Sequence, residues 1–80
     1  MITPEQIRAA RAMLGLSQDA IASEVGTSSK TIQRAETIAN SVSEQAIANI
    51  KAALEDAGIE FIEENGGGAG VRFRKVRKNG

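Results

Sequence analysis

The sequence predicts a mainly α fold, four short helices followed by a C-terminal β-hairpin. Three observations carry that prediction. Four runs of apolar residues at helical spacing are each opened by a serine or threonine, the residues that best cap a helix start. Gly15, Gly26 and Gly58 stop three of those runs. After Gly58 the apolar period changes from that of a helix to the alternation of a strand. Eighty residues bury only one modest core. The chain divides into a helical part, residues 1–58, and a C-terminal part, residues 59–80, that holds the hairpin and a basic tail.

The first helix is the clearest. Thr3 is its N-cap, Pro4 suits the first helical position, and Gln6 stands where a capping box wants Glu or Gln. Ile2 and Ile7 have the spacing of a hydrophobic staple. Ile7, Ala10, Met13 and Leu14 form the apolar stripe, and Gly15 ends the run. Ser17 caps a second helix of about two turns, in which Ile21, Ala22 and Val25 point inward. Thr27 or Ser28 opens the third, over residues 29–38, with Ile32, Ala35 and Ile38 inward and Lys30, Gln33 and Arg34 outward. Ser43 caps the fourth, where Val42 and Ile47 form a staple and Ile47, Ile50 and Leu54 the stripe.

Two short strands are expected at residues 59–64 and 71–76, around the loop "NGGGAG". Ile59 and Phe61 alternate with Glu60, and Val71 and Phe73 with Arg72 and Arg74, which gives a hairpin one apolar face. The acidic first run opposite the basic second run favours cross-strand pairing. The loop lacks the lysine and the spacing of a phosphate-binding loop, and no helix follows it, so it reads as a hairpin turn. The end "RFRKVRK" reads as a strand through about Val76 and a frayed tail, with Arg77 and Lys78 able to reach DNA as the other reading.

Composition excludes several functions. There is no cysteine and no histidine. A disulfide framework, a thiolate metal site and every nucleophile that relies on a histidine base are therefore absent. We expect no enzyme activity, no catalytic residue, no metal and no cofactor, and no evident small-molecule ligand. No apolar run is long enough to span a membrane and no signal-peptide pattern opens the chain, so the expected location is the cytoplasm. Net charge is zero, but residues 1–58 carry five bases against seven acids, whereas residues 71–80 carry five bases and no acid.

The segment "LSQDAIASEVGTSSKTIQRAE", residues 16–36, sets two short helices around one glycine. Helices this short are marginal alone, since isolated helices below about 12–15 residues barely form in water. Two short helices joined by a three- or four-residue turn are the grammar of a helix-turn-helix, whose second helix enters the major groove of DNA. The residue chemistry fits. Arg34 can read guanine O6 and N7, Lys30 the same acceptors or a phosphate, and Gln33 adenine N6 and N7. Ser17, Gln18, Thr27, Ser28 and Thr37 are small polar donors at helix ends, suited to phosphates.

At these residues the chain resembles the Xre family of regulators, which includes the lambda-type phage repressors and Cro proteins. Gln18 after the serine, the Ala22 to Gly26 spacing, the T-S-x-x-T-I run and Glu36 carry the resemblance, which covers roughly residues 4–57. It implies a lambda-repressor-like helix-turn-helix domain, a phosphate contact from Gln18, base-facing positions at Ser29, Lys30 and Arg34 with Gln33 at the margin, and a structural ion pair between Arg11 and Glu36. The chain departs from the family pattern in replacing the usual fifth helix with a hairpin, and in reading "TIANSVS" after Glu36 without the common glycine.

The expected function is sequence-specific DNA binding in transcriptional regulation, as a repressor. The expected partner is double-stranded DNA, a palindromic operator bound by a homodimer. The hairpin face Ile59, Phe61, Val71 and Phe73 is the expected dimerisation element, because an unpaired strand edge invites pairing, and a hairpin folded back on its own helices is the other reading. The alternative is a protein-interaction module, such as an antitoxin or adaptor, in which DNA binding is secondary.

Overall fold

The computed structural model describes residues 2–74. The chain runs α1 (Pro4–Leu14), α2 (Gln18–Val25), α3 (Ser29–Thr37), α4 (Glu44–Asp56), β1 (Ile59–Ile62) and β2 (Gly70–Phe73). Among the described residues no helix is long and apolar enough to cross a membrane. The expected extension of the second strand to Val76, and Arg77 and Lys78 with it, lie outside the described residues.

Each helix start follows from a local hydrogen bond. The side chains of Thr3, Ser17, Ser28 and Ser43 accept from the backbone N–H three residues on, at Gln6, Ala20, Thr31 and Ala46. One orphan donor is satisfied at each helix start in this way. Of the two candidates for α3, the cap is Ser28. The capping box at Thr3 is complete, since Gln6 Oε1 accepts from the Thr3 N–H at 2.8 Å. Gly26 ends α2 at φ +83°, a conformation that costs a side-chain-bearing residue more than glycine. The connection from α3 to α4 has no glycine, and Asn40 takes the left-handed turn there at φ +64°. Asparagine tolerates this region better than most residues.

Ile7, Ala10, Ile21, Ala22, Ile32, Ala35, Ile50, Leu54 and Ile59 form one buried cluster. Every helix and the first strand contribute to it. α3 packs on α1 and α2, α2 also packs on α4, and the hairpin lies with β1 on α4 and β2 on α1. Ile38 departs from expectation. It stands at the C-terminal end of α3 with extended backbone, φ −128° and ψ 111°, and is 59 % exposed rather than inward. The helix ends at Thr37, one residue before Ile38, so the buried stripe of Ile32 and Ala35 does not extend to it.

The strands pair antiparallel with Ile59 opposite Phe73, Glu60 opposite Arg72, Phe61 opposite Val71 and Ile62 opposite Gly70. The expected charge pairing is present, as Arg72 donates to both oxygens of Glu60 at 3.2 and 3.0 Å. That contact holds the Glu60 carboxyl below its usual range. The first strand is shorter than expected, and of the two readings of the apolar face the hairpin takes the one that packs on its own helices. Ile59 is fully buried in the protein's own core, and Phe61 and Val71 are half-buried against it. Of the four residues expected to meet a second copy, only Phe73 is left well exposed, at 56 %. A two-stranded hairpin alone is marginal, and here the helices supply the surface that it needs.

Gln6 fixes the hairpin in place. Its Nε2 donates to the carbonyls of Ile62 at 3.2 Å and Gly70 at 2.9 Å, the facing pair nearest the loop. One buried amide thus joins the start of α1 to both strands. Because Ile59 belongs to the common core, Ile59→Ala should lower unfolding free energy by about 2–5 kcal/mol, read by urea denaturation. An unchanged midpoint would mean that the hairpin is an independent appendage.

Candidate nucleic-acid interface

α3 has two unlike faces. Ile32, Ala35 and Glu36 are buried, whereas Lys30, Gln33, Arg34 and Thr37, at i, i+3, i+4 and i+7, are exposed on one outward stripe. The side chains of Lys30, Gln33 and Arg34 make no hydrogen bond or ion pair to other described residues. The Thr37 hydroxyl donates back to the Gln33 carbonyl at 2.8 Å, so it is turned along its own helix. α2 and α3 are joined by residues 26–28 alone.

The orientation of α3 depends on a buried carboxylate. Glu36 is 1 % exposed. Its Oε2 accepts from Arg11 Nε at 2.6 Å, and its Oε1 from another guanidinium nitrogen of Arg11 at 3.0 Å and from Gln18 Nε2 at 3.2 Å. Arg11 also donates to the carbonyl of Leu16 at 3.1 Å, and Arg8 to the carbonyl of Glu36 at 2.7 Å. One carboxylate therefore joins α1, the start of α2 and α3. The Glu36 hydrogen bonds raise the Arg11 pKa further above neutrality, against the opposing effect of burial. The fork geometry gives two parallel charge-assisted bonds, the strongest form of such a pair.

The residues expected to meet DNA are brought together, with differences among them. Lys30, Gln33 and Arg34 share the open stripe. Ser29 is half-buried and its hydroxyl donates to the Asp19 carboxylate at the start of α2, so it is already engaged. Ser17 and Ser28 serve as caps, and Ser28 also shares a hydrogen bond with the Thr31 hydroxyl at 3.0 Å. Thr27 sits in the connection, half-buried. Gln18 is half-buried and already gives an amide hydrogen to Glu36, which leaves one for an outside acceptor.

Three residues gain roles that the sequence did not suggest. Gln6 holds the hairpin, Arg8 closes a carbonyl at the end of α3, and Asp19 holds Ser29. The three-residue spacing of Arg8 and Arg11, which puts both on one side of α1, was the available signal for Arg8. Among the described residues no group of three or more acidic side chains could hold a metal ion. The sequence matches no model of a known protein family, and no curated protein matches it significantly.

Glu36→Gln keeps the shape but removes the charge opposite Arg11, and should cost about 3 kcal/mol of stability in urea denaturation, as breaking a buried pair does. Replacing both partners, Arg11→Met with Glu36→Leu, should recover much of that loss. A single variant with native stability would show that the pair does not hold the helices together.

Proposed function

We propose that this protein is a sequence-specific DNA-binding regulator, in which α2 and α3 act as a helix-turn-helix and α3 enters the major groove. The observation that carries the reading is the open stripe Lys30, Gln33, Arg34 and Thr37, opposite a buried face anchored by Glu36. Lys30, Gln33 and Arg34, with the reach and donor pattern for base edges, stand free on a helix of nine residues whose opposite face is buried and bonded to α1 and α2. The resemblance of residues 16–36 to Xre-type regulators, with their lambda-repressor-like domain, supports the same reading. Arg34 reads guanine, Lys30 the same edge or a phosphate, and Gln33 adenine. The hydroxyls and amides at the starts of α2 and α3 position the backbone. Such proteins act on palindromic operators as two-fold dimers. We assign a cytoplasmic repressor on that basis.

Selection of the purified protein against random duplexes at about 50 mM salt, followed by sequencing, tests the reading at low screening. A palindromic motif with half-sites about one helical turn apart is the expected result. Arg34→Ala should then lose about 1–3 kcal/mol of binding and relax one base position. Lys30→Ala should reduce the salt slope by about one if it meets a phosphate. No enriched motif, with retention lost by about 200 mM salt, would leave only phosphate attraction and favour the protein-interaction module.

A further inference from the structure

A second surface lies away from α3. A groove of about 730 Å³ opens between the start of α1, α4 and the loop end of the hairpin. Ile2, Ile47 and Phe61 give it an apolar floor, and Glu44, Glu63 and Glu64 line it with carboxylates against one base, Lys51. Glu44 and Glu63 have no hydrogen-bond or ion-pair partner among the described residues. Glu64 gives one oxygen to the loop amides of Gly66 and Gly68, at 3.0 and 2.7 Å.

We propose that this groove receives the basic C-terminal arm, residues 75–78, of a second copy of the chain. The arm reads Lys75, Val76, Arg77, Lys78, three bases around one apolar residue, and the groove offers three carboxylates around an apolar floor. Docking in trans follows from the direction of β2. The backbone N–H of Arg74 donates to the Gly58 carbonyl at 2.7 Å, so the chain leaves the hairpin at the end away from the loop. The groove is at the loop end, where Glu63, Glu64 and Ala69 line it. To return to its own groove the arm would have to turn back along the whole length of the hairpin, since β2 runs away from the loop end. The groove of a second copy has no such constraint. A reciprocal exchange has the two-fold symmetry of a closed dimer. Arg74 and the exposed Phe73 stand at the root of the arm, where a second copy would cover them.

The inference rests on the dimeric regulator proposed above, and the test separates the two. Full-length protein is examined by sedimentation equilibrium at about 50 and 500 mM salt, conditions of weak and strong screening. Three forms are compared: native, Lys75→Glu/Arg77→Glu/Lys78→Glu, and Glu44→Lys/Glu63→Lys. Each charge-reversed form alone should self-associate at least about tenfold more weakly than the native protein, since opposed charges become like charges across the contact. An equimolar mixture of the two variants should associate again, because each arm then meets a groove of opposite charge. A native protein that stays monomeric at about 100 μM overturns the proposal, as does a dimer indifferent to both reversals or a mixture that does not recover. Random-duplex selection is run on the same samples. A monomeric arm variant that still enriches one half-site would locate the change in dimerisation alone, whereas failure of the native protein to enrich any motif counts against the regulator and not against the arm.

Discussion

The fold turns on the buried carboxylate of Glu36. A charge closed away from water is costly unless its partner and its hydrogen bonds are all in place. Here both oxygens are engaged, by the guanidinium of Arg11 and the amide of Gln18. The demand of one charge thereby fixes the relative placing of three helices. Apolar contacts among Ile7, Ile21, Ala22, Ile32 and Ala35 supply cohesion, but they tolerate sliding. The forked ion pair does not, because two parallel bonds fail together when the helices shift. Under the proposed reading that fixed placing matters, because it would present the outward side chains of α3 to DNA in register.

The hairpin solves a different problem, the size of the core. Four helices of 8 to 13 residues leave an open side on α1 and α4. The hairpin covers that side, contributes Ile59 to the interior, and is held by Gln6 through two backbone carbonyls. The Glu60–Arg72 pair on its outer face is exposed, and exposed pairs contribute little beyond setting register.

Much of this was legible in the sequence where the governing interaction is local. The four caps, the capping box at Thr3 and the ends at Gly15 and Gly26 are matters of a few residues, and the structure agrees with them. The pairing of Glu60 with Arg72 followed from alternation and charge. The Arg11–Glu36 pair came from the family resemblance instead, since nothing local joins residues 25 apart. What was not legible depends on distant packing. The bonds from Gln6 to Ile62 and Gly70 span 56 and 64 residues and end on backbone atoms, which carry no sequence signature. Alternation showed that the hairpin has an apolar face that needs cover, but did not decide between a second copy and its own helices, which cover most of it. Ile38 fitted the helical period, yet the helix stops at Thr37 and leaves it outside. In the candidate interface, the stripe of Lys30, Gln33 and Arg34 was visible in advance, whereas the engagement of Ser29 by Asp19 depends on how α2 meets α3.

The central claim is that the outward stripe of α3 meets DNA while Glu36 holds its buried face. It is tested most directly by following the backbone amide resonances of labelled protein as a selected duplex is added. The account predicts shifts concentrated on residues 27–37 and at the start of α2, with the Arg11 and Glu36 contacts kept and the groove beside Phe61 undisturbed. Shifts centred on the hairpin and that groove, with α3 unchanged, would contradict it.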